Sequence, residues 1–263
     1  MFKIVYYCGM MEKIPIIINN YNLLTFPREM INALLKWQNI SRIIIVDNNS
    51  NYTPLLNYYE ALKLKDKITI IRMKNNLGHH APWAINLPKM LHNELKCRYY
   101  VVTDPDLDIS HLPPDTLEQL YNLYLRLPYG NYEYRGRAGD PFLNAKIPFR
   151  TKIGLGIRTD DIPEGALFFT NMERRYNEQP VTNGVLCAPL DTTFAIYDTI
   201  RGFAPGIGGV RTIAPLLCRH LPYYYTAETL GNDDEYINYL NTANYSSSTK
   251  QRRDGIGETA ITE

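Results

Sequence analysis

The chain has 263 residues, with 28 lysines and arginines against 27 aspartates and glutamates. At 45% hydrophobic and 21% charged it has the means to bury a core, which excludes a disordered polyampholyte, and its length suits one large domain. A net charge of +1 also excludes a chain built mainly to coat a polyanion, because counterion release needs a clustered basic excess; no nucleic-acid partner is expected.

Along the first 110 residues, strand-like and helix-like segments alternate. The β-branched run IPIIIN (14–19) reads as a strand buried on both faces, and residues 26–37 place Met30, Ile31, Leu34 and Leu35 at helical spacing. RIIIVDNN is a second buried strand. A helix over 55–64, a strand at 67–73 (KITIIRM), a helix over 83–95 and a strand at 98–104 (RYYVVTD) follow. This alternation predicts an α/β fold: right-handed crossovers, a mostly parallel central sheet and helices on both faces. Ligands of such sheets bind beyond the carboxyl ends of the strands, where Asn19, Asn20, Asp47, Asn48, Asn76, Asp104 and Asp106 collect. In the second half, 115–127 is an amphipathic helix and 128–150 a long loop. Strands are expected at 152–158, at 185–197 and near 210–214. The chain thus divides into a first half (1–110), a second half (111–240) and a polar, mobile tail (241–263).

Cys8, Cys97, Cys187 and Cys218 have no C-x-x-C spacing, which leaves a zinc ribbon or redox motif unsupported and predicts reduced thiols. No apolar stretch approaches the ~20 residues needed to span a bilayer, and the opening residues lack a signal-peptide apolar core. A soluble, cytoplasmic protein is expected, with peripheral membrane association open and the oligomeric state not readable.

The sharpest local signal is YVVTDPDLD, a buried strand running into Asp104-Pro105-Asp106. Two carboxylates flanking a residue of fixed φ present a stiff, acidic turn that suits a hard divalent cation. An ordinary Asp-rich turn closing a strand reads the same way. A phosphatase of the D-x-D-x-[TV] type is a competing reading, but its fifth position is Asp108 here, and three strands precede the motif.

In order, IPIIINNYN, RIIIVDNNS, NNLGHHAPWAIN and TDPD resemble the nucleotide-binding half of GT-A glycosyltransferases, in particular the large family-2-like group. The resemblance implies a GT-A fold, a nucleoside-diphosphate-sugar donor, a carbohydrate or lipid-linked acceptor, and Mn²⁺ or Mg²⁺. Carried over by residue, it implies Asp47 at the nucleoside with Asn20 and Asn76 nearby, Asp104 at the ribose and metal-bound water, and Asp106 as metal ligand. The second half lacks the group's usual Glu-Asp pair. Its APLDTTFAIY and RTIAPLLCRHLPYYY segments resemble a less common GT-A subgroup and the glucuronyltransferase type, which implies His220 as third metal ligand. Inverting transfer needs a carboxylate to take the acceptor proton; Asp191 is the first candidate, Asp161, Asp160 and Glu164 follow, and Glu173 is a third option, with a retaining mechanism left open. Arg211 is a candidate phosphate contact, because a guanidinium forks onto two oxygens. The alternative class is a nucleotide- or sugar-binding scaffold without turnover.

Overall fold

The computed structural model describes residues 11–136, 143–169, 171–191, 193–205 and 208–243. The first half folds as its pattern predicts: β1 (Ile14–Asn20), α1 (Thr25–Leu34), β2 (Ile40–Asp47), α2 (Thr53–Leu62) and β3 (Ile68–Arg72), then α3 (Ala81–Ala84), α4 (Leu87–Leu95) and β4 (Tyr99–Thr103). The expected helix over 83–95 is two helices, because Asn86 adopts φ 55° between them and Pro88 opens the second.

The physical reason for the strand pattern is burial on both faces. Ile16, Ile18, Ile43, Ile45 and Val101 join the larger apolar cluster with α1, α2 and later helices. Their neighbours Ile17, Ile44, Val46, Tyr100 and Val102 pack on the opposite face with Trp83, Leu87 and Leu91 of α3 and α4. With both sides covered, nothing selects polar residues at alternate positions, and the strands read as continuous apolar runs.

The second half comprises β5 (Leu107–Asp108), α5 (Thr116–Arg126), β6 (Asn131–Glu133), β7 (Lys146–Pro148), β8 (Lys152–Gly154), β9 (Gly156–Ile157), α6 (Asn171–Asn177), β10 (Val181–Thr182) and β11 (Val185–Leu186). β12 (Ala195–Asp198), β13 (Val210–Thr212), β14 (Leu217–His220), α7 (Ala227–Gly231) and α8 (Asp234–Thr242) complete it. Among the described residues one nine-stranded sheet runs β10-β11-β13-β8-β12-β4-β1-β2-β3. Its first-half strands are mutually parallel, and β12 joins them antiparallel to β4, so both halves share one sheet and the chain is a single α/β domain.

The second half departs from its expected elements in three places. The run 152–158 breaks at Leu155 into β8, in the main sheet, and β9, in a small sheet ordered β5-β14-β9. The segment 185–197 is two short strands separated by an irregular stretch that carries Asp191. The loop 128–150 contains the antiparallel hairpin β6–β7, and residues 137–142 lie outside the described set. Of the expected tail, Asn241 and Thr242 finish α8, and 244–263 fall outside the described residues.

Candidate functional site

Register makes the parallel strands end level. Asn20 lies beside Asp47, Asp47 beside Arg72, and Ile18 beside Thr103, so one rim gathers the polar strand ends. At that rim Asn48 donates to Asn19 Oδ1 (2.6 Å), and its own Oδ1 accepts from the Leu77 N–H (3.1 Å). Asn19 donates to the Gly78 carbonyl, and Gly78 N–H donates to Asn76 Oδ1 (2.8 Å). Gly78 turns with φ 72°, a conformation costly for a side chain with a Cβ. The N-N-L-G segment is thereby folded onto the ends of β1 and β2, followed by exposed His79 and His80.

Asp47 is fully buried. Its carboxylate accepts from the Tyr59 hydroxyl (3.2 Å), the Ser50 N–H (3.2 Å) and Arg72 Nε (3.3 Å), while Asn20, 1% exposed, donates to Leu23 O and Tyr59 Oη. Both residues therefore brace the β1–β2 ends from inside. The half-exposed group at this corner is Arg72, whose place at the close of an otherwise apolar strand gives it no signal in the sequence.

The second cluster forms where the D-x-D turn meets β14. Leu107 and Asp108 pair antiparallel with His220 and Arg219, and Leu221 N–H donates to the Asp106 carbonyl (2.9 Å). This pairing closes a loop of more than a hundred residues. It sets His220 Nε2 3.4 Å from Asp106 Oδ2, with both side chains largely buried. The imidazole packs edge-on against Tyr223, centroids 4.2 Å apart. Two ligands of one octahedral ion stand roughly 3 Å apart when each bond is about 2.1 Å, and a carboxylate beside an imidazole suits Mn²⁺ better than the all-oxygen shell of Mg²⁺. Among the described residues, no group of three or more His, Cys, Asp or Glu lies close enough to hold a metal. Asp104, partly buried at the end of β4, thus does not complete a three-residue ligand set with Asp106 and His220.

Asp161 sits in an ion network beside this cluster. Its Oδ2 accepts from Arg219 Nη2 (2.7 Å) and Nε (2.9 Å), Arg158 Nε is 3.2 Å away, and Tyr224 donates to Oδ1. Burial alone would raise its pKa, but the Tyr224 hydrogen bond and Arg219 outweigh that and hold the carboxyl below its ordinary value. Arg219 also reaches Asp108 (3.5 Å), which ties β5, β14 and the segment after β9 together.

Arg211 is 2% exposed and committed within the protein. Nη1 pairs with Glu173 (2.7 Å), Nε donates to Pro189 O (2.8 Å), and the guanidinium lies over the Tyr176 ring. Asp191 is exposed, and its backbone carbonyl accepts from Lys152 Nζ (2.9 Å). Burial pushes Lys152 down to about 8, against the opposing pull of the Asp191 and Asp104 carboxylates. The same two carboxylates, after burial and Tyr100, raise Tyr197. The β4 end, the Asp191 segment and Lys152 therefore share one electrostatic neighbourhood. The lysine opens the run KIGLGIR, and that position was its only signal in the sequence.

No family model matches the chain, and no curated protein matches it. Among solved structures it is similar to a mannosyltransferase from Pyrobaculum calidifontis in complex with GDP-Man and Mn²⁺, with 12% identity, 97% of this chain and 77% of that chain covered, and a TM-score of 0.47. It is also similar to a 4-diphosphocytidyl-2C-methyl-D-erythritol synthase (10% identity, 53% and 70% covered, TM-score 0.35). A CMP:2-keto-3-deoxy-manno-octonic acid synthetase complexed with CTP follows, at 11% identity, 46% and 52% covered and a TM-score of 0.30. With TM-scores below 0.5, none of these likenesses bears on what this chain does. No helix among the described residues is long and apolar enough to cross a membrane.

Proposed function

We propose that the chain is a metal-dependent glycosyltransferase that moves a sugar from a nucleoside-diphosphate sugar to a hydroxyl of a carbohydrate or lipid-linked acceptor. The observation that carries this reading is the meeting of Asp106 and His220, 3.4 Å apart at the carboxyl end of β4, although 113 residues lie between them in the chain. Asp106 and His220 would hold Mn²⁺ or Mg²⁺, with Asp104 beside them. Diphosphate oxygens and water would complete the shell, as is usual for Mg²⁺. Such an ion, when bound, neutralises charge building on the leaving nucleoside diphosphate.

The chain's own residues do the rest. The Asn19–Asn48–Gly78 lattice shapes the β1–β2 rim for the nucleoside, with Arg72 and Asn76 at its edge. Asp191, exposed and with no arginine clamp of the Asp161 kind among the described residues, would accept the proton of the acceptor hydroxyl. The gathering of two metal donors rather than three supports a second reading, a nucleotide- or sugar-binding scaffold without turnover.

Thermal denaturation with UDP, GDP, CDP and ADP, each with Mn²⁺, Mg²⁺ or EDTA, tests the site. A ligand at 100 times its Kd stabilises the folded state by about 2.7 kcal/mol. One diphosphate should raise Tm in the presence of metal only, and Asp106→Ala should abolish that rise. Absence of a shift with every nucleotide sinks the proposal. Binding without release of diphosphate from any nucleotide sugar, with or without acceptor glycans, favours the scaffold reading.

A further inference from the structure

The least expected group in the second half is Lys152, a lysine 1% exposed in the middle of the main sheet. β8 lies between β12 and β13, and the side chain runs past Tyr197 of β12, its ammonium 5.1 Å from that ring centroid. Gly209 makes room for the stem. A Cβ there would stand 2.6 Å from Lys152 Cγ and 2.5 Å from its carbonyl oxygen. At the end of this slot Nζ donates to the Asp191 carbonyl (2.9 Å), the Tyr197 hydroxyl (3.2 Å) and the Pro205 carbonyl (3.3 Å). Asp191 and Pro205 belong to separate loops on either side of β12.

Burying an ammonium is unfavourable, and an apolar residue of similar volume in the slot would ordinarily stabilise the fold as well or better. What the ammonium supplies is a set of donors that reaches two loop carbonyls and a phenol at once. Because the side chain is closed off from solvent, it does not itself meet a ligand. We infer that Lys152 is a positioning residue: its ammonium pins the loop carrying Asp191 to the central sheet and to the Pro205 loop, and so sets where the Asp191 carboxylate meets the acceptor. The inference rests on the transferase reading given above. Its chemistry involves no bond making at Lys152. The proton moves from acceptor hydroxyl to Asp191, and the lysine stays an ammonium throughout.

The test uses the full chain with Mn²⁺ and UDP-, GDP-, CDP- and ADP-sugars, and reads nucleoside-diphosphate release and, separately, diphosphate affinity by thermal shift. Lys152→Met should bind the diphosphate within about twofold of the unsubstituted chain, keep donor KM within about threefold, and lower turnover by about 50-fold or more. In an Asp191→Asn background the same substitution should cost less than about threefold, because its effect passes through a carboxylate already removed. Turnover retained by Lys152→Met, an equal loss in the Asp191→Asn background, or loss of diphosphate binding with turnover each overturns the inference and leaves the transferase reading standing. If Lys152→Met does not fold, Tyr197→Phe removes one of the partners named above with the charge intact. It should slow turnover by about three- to tenfold with diphosphate affinity unchanged and without further loss in Asp191→Asn; unaltered turnover overturns the inference. An unsubstituted chain that binds no diphosphate under any metal condition overturns the transferase reading, and the inference with it.

Discussion

Of the candidate bases, Asp191 and Asp161 come first, and their surroundings separate them. Asp161 is held ionised by Tyr224, Arg219 and Arg158, and a proton taken there would weaken three charge-assisted contacts at once. Asp191 has an exposed carboxylate on a segment pinned by its backbone. Removing a general base typically costs 10²–10⁴-fold. Asp191→Asn should therefore reduce transfer by about 100-fold or more, whereas Asp161→Asn should change it by less than about tenfold; initial rates with saturating donor compare them. Lys152 yields a prediction in pH. Its folded pKa, about 8, lies below the ordinary 10.5, so between those values the unfolded chain binds more protons and stability rises with pH. The penalty of burying the charge is complete below pH 8 and is relieved above it. Relative to Lys152→Met, the unsubstituted chain should gain roughly 2–3 kcal/mol between pH 7 and pH 10 in urea unfolding. Tyrosines raised by burial act in the opposite direction only above pH 10 and are common to both chains. A flat difference across that range would mean that the ammonium is not buried as described.

At the scale of elements, legibility in the sequence follows strand length and the origin of the pairing. β1, β2 and β4 are 5–8 residues long, paired in parallel and covered on both faces, and such strands announce themselves as runs of isoleucine and valine. β5, β9 and β14 are two to four residues long, with no room for a period to show. Their pairing is decided by segments about 60 to 110 residues away, which local pattern cannot carry. The Asp106 turn could be read locally, but the contact of His220 with it could not; that position was implied only by resemblance. Asp47 and Arg211 are both expected at a ligand, one at the nucleoside and one at phosphate, yet both are buried in internal networks, a fact that only the tertiary fold supplies. The small sheet offers its own test at Gly156. A Cβ there would stand 2.3 Å from the carbonyl oxygen of Thr212, the last residue of β13, and 2.8 Å from the side-chain tip of Leu217, so β9 or the end of β13 must shift. Gly156→Ala should cost about 1–3 kcal/mol as an overpacked core position. It should also weaken metal-dependent stabilisation by nucleoside diphosphate more than it lowers Tm without ligand, because β9 pairs with β14, the strand that carries His220. Equal losses with and without metal would separate the small sheet from the metal donors.

Over the whole molecule, the ends of the described chain close on each other at the rim that the first half builds. Glu235, in the first turn of α8, accepts from the Leu24 and Thr25 N–H groups at 2.7 and 2.8 Å, and Thr25 Oγ1 donates to its second oxygen. Its carboxylate thereby satisfies N–H groups at the start of α1, where no side chain of that helix does so, and its charge suits the positive end of the helix dipole. Nearby, Asn22 donates to Thr242 Oγ1, and the Tyr21 hydroxyl donates to the Thr242 carbonyl. These contacts join the loop after β1 to the last described helix, more than 200 residues away, and Asn22 also accepts from the N–H groups of Asn51 and Tyr52 beyond β2. α8 thus acts as a strap across the two loops that follow β1 and β2. Losing a cap of this kind costs about 0.5–2 kcal/mol, and Glu235→Gln, which keeps one acceptor but loses the charge, should cost less than Glu235→Ala. The functional consequence goes further. Because the strap holds the loops bordering the Asn19–Asn48–Gly78 lattice, Glu235→Ala should weaken diphosphate affinity severalfold while leaving metal-dependent behaviour at Asp106 intact, read by titration of the diphosphate at fixed Mn²⁺. Unchanged affinity alongside a lowered Tm would assign α8 to stability alone and place the nucleoside elsewhere along the rim.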